Sequence, residues 1–347
     1  MNYFGNIKYL SKRFVTFTLL TAGLSVFALS CGNNGHSANS SANNSATGSQ
    51  SSNTATELNS DNILQAGTSV AAENSSKAAG NTSGTAVGDN SAEAEVSKSD
   101  CREADKAGND KKEKTKKVKR LKAVVTEKFP HDKYAYTQGL FFENGVLYES
   151  CGQYGTSNLR TVDIATGKVL SKSNLDSKYF AEGSVIFGGN LYLLTWREQI
   201  CMIYNPATFK KIGEIRYNGE GWGLTTDGKE LIMSNGSASI TFLDPMTFME
   251  NRRINVTLDG KPIDYINELE YINGEIWANV YLEDYIITID PQNGCVTSVI
   301  DCTNVYPAAV RNAHADVLNG IAYNPADGSI YITGKYWPQL YKISVSE

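Results

Sequence analysis

The side chains of this sequence that could carry chemistry occupy one position of a phrase that occurs five times. In each copy a polar or aromatic residue opens a short apolar run, and a turn leads into a second apolar run. The opening residues are Gln138, Glu182, Trp222, Asn267 with Glu268, and Asn319. A few polar groups that converge among apolar walls are the usual composition of a ligand site. A carboxylate beside amides favours an enzyme over a purely binding site.

The residues that follow the second apolar runs form another candidate set. Three of them are aromatic or charged, Trp196, Tyr281 and Lys335, and the other two are Gly152 and Gly236. If both sets face the same side, an ammonium group and aromatic rings surround the carboxylate and the amides. A tryptophan in a strand more often packs in a core, so its place in the repeat is what assigns it to the site.

The spacing of the repeat predicts the elements that bring these residues together. Gly139, Gly183, Gly223, Leu269 and Gly320 follow one another at steps of 44, 40, 46 and 51 residues. A period of about 40 to 50 residues with four short strands per unit is typical of a β-propeller. In such a fold the first strand of every unit lines the central channel, so the opening residues meet at one mouth. The strands predicted for the second copy are 184–187, 191–195, 199–204 and 210–217, from alternating apolar residues separated by Gly, Asn and Pro.

The ends of the repeat predict how the ring closes. The fifth copy runs out of chain before a fourth strand, whereas an extra strand-like segment, 121–129, precedes the first copy. The sequence therefore predicts an all-β domain over 120–347, a five-bladed β-propeller whose ring is closed by this N-terminal strand. Closure leaves no open sheet edge, which is where aggregation starts.

Residues 1–30 have the features of an export signal. Lys8 and Lys12 precede a long apolar stretch, and small residues lie before a cleavage point. Cys31 follows that point as in a bacterial lipobox, although Leu is more usual where this chain has Ala28. The expected product is a lipoprotein of the cell envelope, anchored to a membrane by lipidation of Cys31 and facing the periplasm or the outside. Simple secretion is the alternative.

Residues 31–119 predict a disordered stalk. They are rich in Ser, Asn, Ala, Gly and Thr and bury too little apolar surface to offset the entropy of ordering. The basic run 111–120 is read as a solvated tether and not as a nucleic-acid site, because the protein is exported and its net charge is −5. We therefore expect no nucleic-acid partner. We also expect the protein to be a monomer.

The sequence contains few signs of metal binding or of disulfide pairing. The cysteines of the predicted propeller, Cys151, Cys201, Cys295 and Cys302, do not reveal their pairing. The histidines outside the stalk form no zinc-binding pattern, so no cofactor is expected to be required. A structural calcium in the central channel stays open, because backbone oxygen ligands leave no mark in a sequence.

Several motifs resemble the plant and bacterial type of glutaminyl-peptide cyclotransferase, and the resemblance extends over 121–345. The motifs are Tyr136-Thr137-Gln138-Gly139-Leu140, Gly219-Glu220-Gly221-Trp222-Gly223-Leu224-Thr225, Asn267-Glu268-Leu269-Glu270-Tyr271, Trp277-Ala278-Asn279-Val280, and Thr333-Gly334-Lys335 with Trp337-Pro338. The resemblance implies a five-bladed propeller. It also implies an enzyme that converts the N-terminal glutamine of peptides and proteins into pyroglutamate and releases ammonia.

Carried over position by position, the resemblance makes Glu182 the catalytic acid and base. Gln138 and Asn267 would hold the amide or amino group of the substrate. The implied substrate-binding residues are Gln138, Trp196, Trp222, Asn267, Tyr281 and Lys335. Tyr281 stands where the motif usually has Trp, which leaves the substrate preference at that point open.

Two other functions compete with this interpretation. A propeller without catalysis could bind a peptide or a partner protein at the same ring, and only turnover separates it from the enzyme. A calcium-dependent lactonase or hydrolase would lose activity to chelators, but the number of blades disfavours it.

Overall fold

The computed structural model describes residues 117–347. The predicted export signal, the lipidation site Cys31 and nearly all of the predicted stalk lie outside these residues. Within them the chain is all-β, with twenty-two strands and one 3-10 turn, Ala308–Val310. No helix in this part of the chain is long and apolar enough to cross a membrane.

Three sheets each consist of four consecutive antiparallel strands. The first contains β2 (Thr137–Glu143), β3 (Val146–Cys151), β4 (Asn158–Asp163) and β5 (Lys168–Asn174). The second contains β6 (Ala181–Phe187), β7 (Asn190–Thr195), β8 (Ile200–Tyr204) and β9 (Lys211–Arg216). The third contains β10 (Leu224–Thr226), β11 (Leu231–Ser234), β12 (Ser239–Leu243) and β13 (Glu250–Asn255). The strands predicted for the second copy are confirmed, with bounds that differ by three residues at most.

The remaining long strands form one eight-stranded sheet of order β16-β17-β18-β19-β1-β22-β21-β20. Its strands are β16 (Ile266–Ile272), β17 (Glu275–Val280), β18 (Tyr285–Ile289), β19 (Val296–Asp301), β20 (Leu318–Asn324), β21 (Ser329–Gly334), β22 (Gln339–Ser346) and β1 (Lys119–Pro130). A short hairpin of β14 (Thr257–Leu258) and β15 (Lys261–Pro262) precedes β16.

The predicted N-terminal strand is present as β1, and it joins two groups of strands. It runs parallel to β19, with Lys119 opposite Ser298, and antiparallel to β22, with Lys122 opposite Ser346. The eight-stranded sheet is thus β16 to β19 on one side of β1 and β22 to β20 on the other.

Apolar side chains of neighbouring sheets pack against each other. Ile232 and Phe242 of the third sheet share a buried cluster with Ile266 and Ile276 of the eight-stranded sheet. Alternation along each strand places such residues on the faces between sheets. The core therefore lies between the sheets, and the first strand of each sheet is free to line a common centre.

Glycines at the start of the first strands let adjacent sheets approach closely. A Cβ atom on Gly183 would lie 2.4 Å from Leu224 N, and one on Gly223 would lie 2.1 Å from Asn267 O. Real Cβ atoms do not come this close to backbone, so only glycine fits at these points. The repeated glycine of the sequence is explained by this packing.

The cysteines differ in state. Cys151, Cys201 and Cys302 are buried free thiols. Cys295 is disulfide-bonded, and its partner is not among the residues described.

Candidate active site

At four of the predicted openings the first strand leaves its regular pairing with the second strand. The register shifts lie between Thr137 and Gly139, between Ala181 and Ser184, between Ile266 and Leu269, and between Leu318 and Ile321. The residues inside these shifts include Gln138, Glu182, Asn267 and Asn319. Such bulges re-aim side chains and are frequent next to active sites. The bulges turn the predicted site residues out of the ladder.

These four residues form the floor of the candidate site. Gln138 and Glu182 are each 4% exposed, Asn267 is 2% exposed, and Asn319 is fully buried. Asn319 Nδ2 donates a hydrogen bond to Gln138 Oε1 at 3.3 Å. Since this occupies the Gln138 oxygen, its amide nitrogen is left to donate towards Glu182. Within residues 117–347, no three His, Cys, Asp or Glu side chains are grouped so that they could hold a metal ion.

Three oxygens of the floor have no hydrogen-bond partner among the described residues: Glu182 Oε2, Asn267 Oδ1 and Asn319 Oδ1. A buried polar atom without a partner costs roughly 1–3 kcal/mol. The position of Asn267 is fixed by its backbone, because Ser234 Oγ donates to Asn267 O at 2.6 Å. The floor therefore presents acceptors to a ligand that is rich in N–H groups.

The environment of Glu182 favours its protonated form. Burial raises the pKa of this carboxyl well above its ordinary value, and the nearby Glu220 and Glu198 act in the same direction. The Lys335 ammonium and the Gln138 side chain oppose them. Glu182 therefore keeps its proton to a higher pH than an ordinary glutamate, which suits a general acid and base.

Lys335 reaches the site from the end of β21. The residue is 3% exposed, and its Nζ lies 4.6 Å from the ring centre of Tyr136 and 5.1 Å from that of Tyr281. Burial lowers the pKa of Lys335 to about 8, although Glu182 and Asp316 raise it in part. Its ammonium is thus a charge that the protein holds between aromatic faces and close to Glu182.

Aromatic rings surround the floor and form what we call the wall. The wall consists of Tyr136, Phe180, Trp196, Trp222 and Tyr281, and most of these rings are half-buried. Phe180 lies 6.1 Å from Tyr136 and 5.5 Å from Trp196 between ring centres, and Trp222 lies 5.9 Å from Tyr281. Lys335 connects Tyr281 to Tyr136. Rings of this kind exclude water from the groups below them.

Glu220 connects the two tryptophans of the wall. Its Oε2 accepts hydrogen bonds from Trp196 Nε1 at 2.8 Å and from Trp222 Nε1 at 3.0 Å. Burial would raise the pKa of Glu220, but these two bonds and Arg197 lower it. An ionised carboxylate therefore links the last two members of the wall, and the wall goes completely round the floor.

The structure brings the predicted residues together, but Glu268 has a structural role instead of facing the site. Glu268 does not offer a free group, because its carboxylate accepts from Leu140 N at 3.3 Å and from Ile321 N at 2.9 Å. It holds together β16 and β20, the two edge strands of the eight-stranded sheet, and β2 of the first sheet. The two glycines of the second set make space, since a Cβ on Gly152 would meet Phe180 at 2.3 Å and one on Gly236 would meet Trp222 at 2.6 Å.

Three residues of the site, Tyr136, Phe180 and Glu220, were not predicted from the sequence. Each of them lies two positions before a residue that was predicted. The pairs are Tyr136 with Gln138, Phe180 with Glu182, and Glu220 with Trp222. Residues two apart in extended chain point to the same side, so the i−2 position is the signal that would have found them.

A buried ion network supports the floor from the first sheet. Glu149 Oε1 accepts from His131 Nε2 at 3.0 Å and from Thr137 Oγ1 at 2.7 Å, and Arg160 Nε donates to Glu149 Oε2 at 2.8 Å. His131 Nδ1 lies 2.7 Å from Trp337 O. Thr137 is next to Gln138 in the chain, so the network fixes the strand that carries it.

Comparisons with known proteins identify the family of this chain. Residues 99–345 match the family model described as glutamine cyclotransferase. A glutaminyl-peptide cyclotransferase of Arabidopsis thaliana is 38% identical over 227 residues, which cover 64% of this chain and 71% of the plant protein. The crystal structure of Myxococcus xanthus glutaminyl cyclase superposes with a TM-score of 0.62 and 36% identity, covering 66% of this chain and 99% of that one. The chain therefore belongs to the glutamine cyclotransferase family.

Proposed function

We propose that this protein is a glutaminyl-peptide cyclotransferase that converts the N-terminal glutamine of peptides or proteins into pyroglutamate and releases ammonia. The observation that carries the proposal is a buried carboxyl, Glu182, with one free oxygen at the floor of an aromatic wall. Membership of the glutamine cyclotransferase family supports the same reaction.

The reaction is intramolecular. The α-amino nitrogen forms a bond to the γ-carboxamide carbon, and the bond from that carbon to the amide nitrogen breaks. The attacking nitrogen loses one proton and the departing nitrogen gains one, so the reaction needs no oxidant and no water. Folding the glutamine side chain back onto its own amine is the main task, and orientation of this kind contributes up to about 7–11 kcal/mol.

Glu182 is the group that moves the proton. With its raised pKa, the carboxyl holds a proton while the α-amine binds in its neutral, nucleophilic form. It gives this proton to the departing nitrogen and takes the proton that the attacking nitrogen loses. Proton transfer by a placed group contributes a factor of roughly 10² to 10⁴.

The remaining polar groups orient the substrate. Asn267 Oδ1 is a free acceptor that suits an N–H of the amine or carboxamide. The Gln138 amide nitrogen donates, and the Lys335 ammonium supplies positive charge where the carboxamide oxygen becomes negative. The wall, with Trp196, Trp222 and Tyr281, encloses the apolar part of the glutamine side chain.

The test is release of ammonia from a peptide that begins with glutamine, measured by mass spectrometry and by an ammonia assay. Glu182→Gln keeps the shape of the side chain and cannot shuttle the proton, so we expect kcat to fall by roughly 10² or more. Glu214→Gln, an exposed change on β9, is the matched control. The sequence leaves open whether a structural calcium ion lies in the central channel. Each assay is therefore repeated in EDTA, and full turnover is expected to persist.

A folded Glu182→Gln variant with the turnover of the unchanged protein would contradict the role of Glu182. Binding of the peptide without any ammonia release by the unchanged protein would favour the non-catalytic binding protein.

The proposal includes the finer architecture. We propose five blades, namely the first three sheets and the two halves of the eight-stranded sheet, with β1 as the strand that closes the ring. The pairing of β1 with β19 and β22, and the bond from Asn319 Nδ2 to Thr137 O at 2.9 Å, support this arrangement.

We further propose that residues 1–30 export the protein, that Cys31 carries the lipid anchor, and that 31–119 form a tether to the envelope membrane. The residue pattern of the N-terminus supports this proposal. A Cys31→Ser variant should leave the membrane fraction, and a variant that stays there would overturn the anchor.

A further inference from the structure

We propose that Glu220 is a positioning residue that sets the separation and orientation of the two indoles of the wall, so that the glutamine side chain of the substrate is folded between them. The inference rests on the proposed function and adds the device that shapes its pocket. Glu220 itself is placed to contact Trp196 and Trp222 and takes no part in proton transfer.

One oxygen of Glu220, Oε2, accepts a hydrogen bond from each of the two indole N–H groups, at 2.8 Å and 3.0 Å. A half-buried indole needs a partner for its N–H, and a shared acceptor fixes two rings relative to each other. The two tryptophans come from different sheets, since Trp196 follows β7 and Trp222 precedes β10. The carboxylate therefore bridges a seam between sheets that ring contacts alone leave open.

The other carboxylate oxygen of Glu220 also has a hydrogen-bond partner. Glu220 Oε1 accepts from Arg197 Nε at 3.0 Å. The guanidinium of Arg197 in turn lies 3.7 Å from the centre of the Trp196 ring. Trp196 is thus held at its N–H by Glu220 and on its face by the ion partner of Glu220. This double restraint is stronger than a single hydrogen bond at a surface would be.

The backbone on both sides of Glu220 is held by its neighbours. Gly219 before it has a φ of +86°, and a Cβ on Gly221 after it would lie 2.3 Å from the hydroxyl of Tyr217. Gly221 N donates to Trp196 O at 3.1 Å. The carboxylate is therefore carried on a rigid segment, and it can transmit that rigidity to the indoles.

Glu220 also acts on the floor through its charge. It is one of the groups that raise the pKa of Glu182, after burial and against Lys335. Loss of the charge of Glu220 should therefore lower the pKa of Glu182, whereas a shorter side chain at this position should disturb the indoles of the wall. These two effects can be separated by substitution.

The experiment compares Glu220→Asp with Glu220→Gln. Asp keeps the charge but is one methylene shorter and cannot reach both indoles. Gln keeps the length and an acceptor oxygen but is neutral. We expect Glu220→Asp to lower kcat/KM for a Gln-initiated peptide about 10- to 100-fold, the size of loss that a 1 Å misplacement causes. Its tryptophan emission should move to longer wavelength, because the indoles become more exposed.

Glu220→Gln is expected to keep the emission and most of kcat/KM at its optimum. The alkaline limb of its kcat/KM profile, where Glu182 loses its proton, should move to lower pH, because a negative neighbour of Glu182 is gone. Glu214→Asp is the control, and thermal unfolding verifies that each variant is folded.

Unchanged emission and unchanged kcat/KM in Glu220→Asp would overturn the proposal, and so would an equal shift of the emission wavelength in the Asp and Gln variants. The emission measurement needs no substrate. If the unchanged protein releases no ammonia, the proposed function fails while the positioning of the indoles is still tested.

Discussion

Lys335 combines a charge with an environment that disfavours it. Its ammonium lies between the rings of Tyr136 and Tyr281, and burial lowers its pKa from 10.5 to about 8. Between these values the unfolded chain binds a proton that the folded protein does not. The free energy of unfolding contributed by this group therefore rises with pH across that window and is lowest below pH 8.

Replacement of Lys335 by Met should remove this dependence. Each pKa unit is worth about 1.4 kcal/mol, so the advantage of the Met variant over the unchanged protein should shrink by about 3 kcal/mol between pH 7.5 and pH 10.5. Urea unfolding of both proteins at the two pH values measures the difference. A difference that does not vary with pH would show that Lys335 titrates normally.

At the scale of elements, the buried ion network determines how firmly the first sheet holds the floor. Burial would raise the pKa of Glu149, but Arg160 and His131 lower it far below its ordinary value. A carboxylate with a lowered pKa stabilises the fold above its unfolded pKa, and that stability is lost as the pH falls into the acid range.

Glu149→Gln should cost about 3–5 kcal/mol in the free energy of unfolding, because it leaves Arg160 buried without its full counter-charge. Glu127→Gln, an exposed change on β1, is the control. Equal costs for the two substitutions in urea unfolding would contradict this role of Glu149.

The same scale explains what the sequence predicts well. Alternating apolar residues and Gly, Asn and Pro turns give the strands of the second sheet to within three residues. The repeat period predicts that Gln138, Glu182 and Asn267 meet at one mouth. The bulges could not be predicted, because they depend on how adjacent first strands fit around the centre. Glu220 was missed because its role follows from two indoles of different sheets, and only its position two residues before Trp222 marks it in the sequence.

At the scale of the whole molecule, β1 joins β19 to β22 within the eight-stranded sheet. Ala123 of β1 is buried in a cluster with Ile300 and Ile343, whereas the next residue, Val124, is 46% exposed. The two positions lie on opposite faces of β1. The same substitution therefore tests the packing of β1 at Ala123 and serves as its control at Val124.

Ala123→Asp should lower the free energy of unfolding by about 3 kcal/mol or more, since it buries an unpaired charge, and Val124→Asp should change it little. We expect a single urea transition at lower concentration, with ammonia release lost in the same transition. Similar midpoints for the two variants would mean that β1 is not required for closure.

The pairing of Lys122 with Ser346 has a consequence for the order of folding. Synthesis proceeds from the N-terminus, so β1 is made before the other described strands, while β22 is made after all of them. Until β22 has been synthesised, β1 and the strands awaiting it present unpaired edges. Contacts so distant in sequence are slow to form. The unpaired edges must therefore be kept from pairing with other chains until β22 has been made. A nascent chain that stops short of β22 is the form most exposed to aggregation.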